Sequence, residues 1–236
     1  MRRAALILVL VLTLLTAGCG GSKNDSATST GASTTTTDTT STTTATVGAD
    51  GCTDVPVPAP RKDGGATKPK ERLDPEVTYK LVFKTNCGSF TVTLDQAKAP
   101  ATTASLVSLA KQGFYDDTIF HRIVPGFVIQ AGDPTQSGSG GPGYETVDKP
   151  PADTTYDKGV VAMAKTGAEA PGTAGSQFFV VSGPSAGTLP ADYAVVGNVT
   201  SGMDTVDRIN GFGDVSDPSG TPTRSVVIES VTVEQT

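Results

Sequence analysis

The chain has 236 residues, with 18 Lys and Arg against 24 Asp and Glu and a net charge of −6. An acidic chain without a basic cluster argues against nucleic acid and against electrostatic attachment to anionic lipid. Its 27 Gly and 16 Pro fit turn-rich β structure, a long linker, or both.

Residues 1–18 read as a signal peptide. Arg2 and Arg3 make a positive start, and Ala4–Leu15 is an apolar run too short to span a bilayer as a mature helix. The run ends in LLTAGC, Leu14–Cys19, which resembles a bacterial lipobox with Cys19 as the lipidated residue. An ordinary secretory cleavage site, with Cys19 incidental, is the alternative. Residues 22–46 hold 17 Ser or Thr out of 25. Such a segment cannot bury enough apolar surface to offset its ordering entropy. With the Pro- and Lys-rich stretch after it, it forms an expected disordered tether over 19–75, and the folded domain is expected over 76–236. With Cys19 carrying lipid, Cys52 and Cys87 are left in an oxidising space, either as a disulfide or as two free thiols. Two isolated cysteines and one distant histidine lack zinc spacing, so no metal is expected.

From Val77 the pattern changes. VTYKLVF (77–83) and SFTVTLD (89–95) alternate like strands around the turn-forming KTNCG. Ala99–Asp116 reads as a helix, with Pro100 at its first position and Gly113 as its stop. Phe120–Val124 and Phe127–Ala131 flank Pro125-Gly126 as a hairpin, and the glycine-rich GSGGPG (138–143) reads as a turn. GVVAMA (159–164), SQFFVV (176–181) and YAVVGNV (193–199) are short buried strands. Ser201 and Asp204 suggest a capping box before a second helix that ends at Gly211, and RSVVIESVTVE (224–234) closes the chain as a strand. Many short strands with two helices point to a mainly β, closed antiparallel barrel capped by helices.

FHRIVPGFVIQAGD (120–133), GVVAMAKT (159–166), GSQFFV (175–180) and LPADYAVVGNV (189–199) carry a resemblance. In this order they resemble the cyclophilin family of peptidyl-prolyl cis/trans isomerases, and in particular its bacterial lipoprotein members. The resemblance covers about Val77 to Val233 and implies a closed eight-stranded β-barrel with a helix over each end and a proline-binding groove on its outer face. It implies Arg122 as the catalytic arginine, oriented by Gln130. Phe127, Val128, Phe179 and Leu189 would wall the proline pocket, with Gln177 a further polar group of the groove. Ala164, Lys165 and Thr166 would pair with the substrate backbone, and His121, the only histidine, would stand in the groove without shuttling protons. Read from the residues alone, a lone histidine on an apolar strand is a satisfied core histidine before it is a substrate contact. Lys165, Thr188 and Tyr193 stand where many relatives have Asn, Trp and His, a departure at the outer groove.

The chemistry is consistent with these residue types. The barrier to X-Pro rotation is lost amide resonance. Lowering it takes an apolar slot for the ring and a donor that bonds better to the twisted amide than to the planar one. It needs no nucleophile, base, metal or cofactor. Arginine suits the task because its charge is permanent and its fork rigid. The expected protein is a monomeric, extracytoplasmic isomerase, lipid-anchored to the cell membrane, that acts on proline-containing peptides and unfolded exported proteins. A surface lipoprotein that binds proline peptides or a protein partner without turnover is the alternative.

The lipobox reading makes a testable statement. Cys19→Ala should abolish partitioning of the protein into a detergent phase, and an unchanged distribution in the variant would refute lipidation at Cys19.

Overall fold

The computed structural model describes residues 46–236. The signal peptide, Cys19 and the Ser/Thr-rich tether up to residue 45 lie outside the described residues. In chain order the elements are β1 (Tyr79–Thr85), β2 (Gly88–Leu94), α1 (Pro100–Lys111), β3 (Thr118–Ile119), β4 (Arg122–Val124), β5 (Val128–Ala131), β6 (Thr146–Val147), β7 (Val160–Met163), β8 (Thr173–Ala174), β9 (Phe178–Val181), β10 (Val195–Ser201), α2 (Met203–Asn210) and β11 (Val227–Gln235). Nine strands form one antiparallel sheet in the order β3-β11-β1-β2-β10-β7-β9-β5-β4, and β6 pairs with β8 apart from it.

This is the expected mainly β architecture with two helices, but the ladder is not the closed eight-stranded ring. The sheet curls into a half-barrel whose edge strands, β3 and β4, do not pair with each other. They are consecutive in the chain, so the two residues Phe120 and His121 carry it from the β11 edge to the β5 edge. Of the strand expected over 120–124 only Arg122–Val124 forms; Phe120 and His121 become the link from β3, because the chain changes partners there.

Strand alternation sorts side chains between two apolar clusters. Ile129, Val161, Met163, Phe178, Val180, Ala194 and Val196 belong to the main core, with Phe83, Phe90 and Tyr115. Their neighbours Val128, Ala162, Phe179, Val181 and Val195 face the other way and pack with Tyr156 in a second cluster. Phe127, Ala164, Leu189 and Tyr193 are partly buried against that second cluster.

The helices end as the sequence predicts at one place and not at another. Pro100 opens α1, and Asp148 accepts bonds from the Thr102 N–H and hydroxyl, both 2.7 Å, satisfying donors at the helix start from a remote loop. The capping box at Ser201 does not form. Gly202 occupies that position with φ 80°, and a Cβ there would lie 2.3 Å from the Ser89 carbonyl oxygen, so close approach to β2 selects glycine over a capping hydroxyl.

Residues 46–75 differ from the expected loose tether. They lie along the domain as a strap. Thr53 N–H donates to Asn86 O at 2.7 Å, Arg61 N–H to Pro134 O at 2.7 Å and Gly64 N–H to Gly141 O at 3.0 Å. Ala66 and Leu73 pack against the main core. Composition measures what a segment can bury by itself; this one borrows its partners from the barrel and its loops. Cys52 and Cys87 are bonded and fully buried, 35 residues apart in sequence. Around them Arg208 donates to Cys87 O at 2.7 Å, and Arg224 pairs with Asp54 at 2.6 Å and with Asp50.

Closing a loop of this length by a disulfide contributes about 3–4 kcal/mol in the chain-entropy account. The Cys52→Ala/Cys87→Ala double variant should therefore melt about 10 °C lower than the parent by calorimetry. Peptide mapping without reduction should recover the Cys52–Cys87 pair, and two alkylatable thiols in the native protein would contradict it.

Candidate active site

The hairpin turn places the first site residues. Phe127 N–H donates to Val124 O at 3.0 Å across Pro125-Gly126, with Gly126 at φ 70°. Pro at the second and Gly at the third position is the signature of a type II turn. The Phe127 carbonyl then accepts from Ser182 N–H at 3.0 Å, which ties the turn to the end of β9.

Register does the rest. Arg122 on β4 lies opposite Gln130 on β5; Gln130 lies opposite Phe179 on β9, Phe179 opposite Ala162 on β7, and Ala162 opposite Val195 on β10. This single row crosses five strands on the face turned away from the main core. A cavity of about 270 Å³ opens over it, lined by Arg122, Phe127, Val128, Gln130, Ala164, Lys165, Phe179, Leu189 and Tyr193. Eleven of the expected catalytic and groove residues thus converge or adjoin: these nine, together with Gln177 and Thr166, which line the neighbouring cavity.

Arg122 is held from two sides. Its guanidinium carbon is 5.9 Å from the centre of the Phe127 ring, and Nη1 makes a long bond to Gln130 Oε1 at 3.5 Å. Gln130 Nε2 donates to Gln177 Oε1 at 3.1 Å, and Gln177 Nε2 to Gly140 O at 2.9 Å. The result is a polar chain from the arginine to the glycine-rich loop. The apolar side is an aromatic corner, with Phe179 and Tyr193 edge to face at 5.5 Å and Tyr156 beneath both. Lys165 lies 5.5 Å from the centre of the Tyr193 ring. The N–H groups of Ala164 and Thr166 are committed to Gln177 O and to the Glu169 carboxylate.

His121 fits the core reading better than the groove reading, although not as a satisfied core histidine. It lines neither of these two cavities, and both ring nitrogens are buried without a hydrogen-bond partner among the described residues. Burial pushes its pKa below the usual value, and the adjacent Arg122 charge acts the same way against the opposing pull of Asp133. The imidazole is therefore neutral near pH 7. Thr188 is also outside the cavity wall, its hydroxyl donating to Ser185 O at 3.0 Å.

Two contributors escaped the sequence reading. Tyr156 lies in a polar loop, yet is fully buried, and its hydroxyl both accepts from Tyr193 N–H at 3.0 Å and donates to Tyr193 O at 2.9 Å. Nothing local distinguishes it; only its contact with the groove does. Asp133 is buried and accepts from the N–H groups of Thr135, Gly138 and Gly140. Burial alone would raise its pKa, but these bonds and the Thr135 hydroxyl outweigh burial and lower it, so a carboxylate shapes the loop that Gln177 contacts.

Known proteins match the chain in sequence and in fold. A family model for cyclophilin type peptidyl-prolyl cis-trans isomerases matches residues 80–233. A peptidyl-prolyl cis-trans isomerase-like 1 of Aspergillus oryzae is 41% identical over 133 residues, 55% of this chain and 80% of that protein. A peptidyl-prolyl cis-trans isomerase-like 2 of Cryptococcus neoformans is 37% identical over 175 residues, 72% of this chain but only 29% of that longer protein. A Cryptosporidium parvum cyclophilin type isomerase, solved in the presence of the dipeptide Ala-Pro, superimposes with a TM-score of 0.59 at 30% identity, covering 66% of this chain and 98% of that one. The family-model match, the sequence identity and the shared fold agree: the chain belongs to the cyclophilin-type peptidyl-prolyl cis-trans isomerase family.

Proposed function

We propose that this protein isomerises X-Pro bonds, with Arg122 as the donor that favours the twisted amide. The observation that carries the reading is the row Arg122–Gln130–Phe179, which puts a guanidinium beside Phe127, Val128, Phe179 and Leu189 in the wall of a cavity of about 270 Å³. A slot of this kind suits a pyrrolidine ring against Phe127, Phe179 and Leu189. As the amide twists, its nitrogen lone pair leaves resonance and becomes a better acceptor. A charged donor already in place then stabilises the transition state more than the planar ground state. The Lys165 backbone and Gln177 are placed to hold the flanking chain. We further propose, from the signal-peptide and lipobox pattern, that the substrates are unfolded exported proteins met outside the membrane to which Cys19 anchors the chain.

Binding without turnover, as a surface module, would need the slot but not the arginine. Arg122→Ala should lower kcat/KM about ten- to a hundredfold, the worth of a charge-assisted hydrogen bond of about 1.5–3 kcal/mol, while peptide affinity changes little. Arg122→Lys should recover little of the loss, since a flexible ammonium does not reproduce the fork. Phe179→Ala should weaken binding as well. Exchange NMR on a proline peptide measures rate and affinity in one sample, and an Arg122→Ala variant as fast as the parent would leave only the binding-module reading.

The same mechanism fixes the pH dependence. Arginine stays charged throughout this range and His121 is neutral, its ring nitrogens buried, so kcat/KM should stay level between about pH 7 and 9. A sigmoidal step in that range, measured by the same exchange experiment, would mean that a proton transfer takes part.

A further inference from the structure

A second cavity, of about 550 Å³, adjoins the first and shares Gln130, Ala164 and Lys165 with it. The two are compartments of one groove. One wall of the second is the glycine-rich loop through Gly138, Gly140, Gly141 and Gly143, where the missing side chains leave room for a long one from a ligand.

That wall is braced from outside by the strap. Besides the Gly64–Gly141 bond, Ala66 N–H donates to Pro142 O at 3.1 Å, and Asp63 Oδ1 accepts from Gly141 N–H at 2.8 Å. The two backbones touch: a Cβ on Gly143 would stand 3.1 Å from Gly64 Cα. Asp63 thereby becomes part of the cavity lining, although it precedes the residues 80–233 that the family model covers. The strap gives this chain a piece of groove wall from outside its matched domain.

The charge on that wall has a definite sign. Among the described residues, Asp63, Glu145 and Glu169 line the cavity, against Lys165 as its one cation. Lys165 is engaged, its ammonium donating to Thr166 O at 3.2 Å and Glu169 O at 3.1 Å beside the Tyr193 ring. Lys68 of the strap is bonded to Glu145 O at 2.6 Å and is not part of the lining. Bonds from Thr166 lower the Glu169 pKa, which keeps that group a carboxylate.

We propose that the strap makes the second cavity a selectivity compartment, in which Asp63 and Glu145 favour peptides carrying Lys or Arg a residue or two from the proline. The inference rests on the peptide-groove reading and narrows its substrate class. Asp63 and Glu145 are both exposed, so each contributes a modest factor, about threefold in affinity.

The test is a set of proline peptides with Lys, Gln or Glu placed in turn at each position within two residues of the proline. Dissociation constants are read by NMR titration of the full chain, and isomerisation by exchange in the same samples. At one position the parent should bind the Lys peptide about three- to tenfold more tightly than the Glu peptide. Asp63→Asn, which retains an acceptor for Gly141, should cut that ratio about threefold, Glu145→Gln similarly, and Asp63→Lys should bring it to about one or below. Peptides that bind and isomerise with no charge preference at any position, or a ratio indifferent to Asp63→Asn and Asp63→Lys, would overturn the selectivity proposal while leaving the isomerase reading intact. Failure of every proline peptide to bind would remove the groove reading and this inference together.

Discussion

The site depends on the two-residue period of the β-strand. Along β5, β7, β9 and the start of β10, alternate side chains go to opposite faces, and here both faces are apolar. The inner set closes the main core. The outer set, Val128, Ala162, Phe179 and Val195, would be an exposed patch if Tyr156, Leu189 and Tyr193 did not rise around it into a slot. A shift of one residue in any of these ladders would send Phe179 into the core and Phe178 to the surface. The register that stabilises the sheet is therefore the same one that builds the groove.

The arginine is placed by the same device. Arg122 is next to Ile123 on β4, which is fully buried in the main core, so alternation turns its side chain outward onto the row with Gln130. Gln130, Gln177 and the Gly140 carbonyl then form a chain of amide bonds that carries no titrating group. Such a support holds the guanidinium without neutralising it, as a carboxylate partner would. The lone histidine next door has its ring nitrogens buried without partners among the described residues, and burial disfavours its charged form.

The strap extends the groove by borrowing stability. It contains no regular strand or helix beyond an isolated bridge between Val47 and Thr53, and its composition is that of a linker. It is fixed at one end by the Cys52–Cys87 bond and the Arg224 pairs with Asp50 and Asp54, and further along by backbone bonds to the 134–142 loop. That loop is in turn organised by the buried Asp133. The disulfide pins the strap to the β1–β2 turn, and the loop contacts carry it to the edge of the groove.

Much of this was legible in the chain. Periodicity located the strands, Pro100 and Gly113 bounded the first helix, Pro125-Gly126 marked the turn, and four ordered motifs pointed to the groove residues, because each of these signals is local. The sequence could not say that of Phe120–Val124 only Arg122–Val124 would form a strand, with the chain crossing between two sheet edges just before it, since pairing is decided by which edges meet. It did not reveal Tyr156 or Asp63, because both lie in polar stretches and acquire their place only from distant residues. It misjudged 46–75, because composition reports what a segment buries alone and not what a neighbouring loop offers it. His121 looked like a groove residue by position, and only packing showed its nitrogens sealed in. What the sequence by itself determined was the alternation, the turns and the chemical kinds of side chain available. What only the tertiary structure decided was which of them share a wall, because that depends on contacts between residues far apart in the chain.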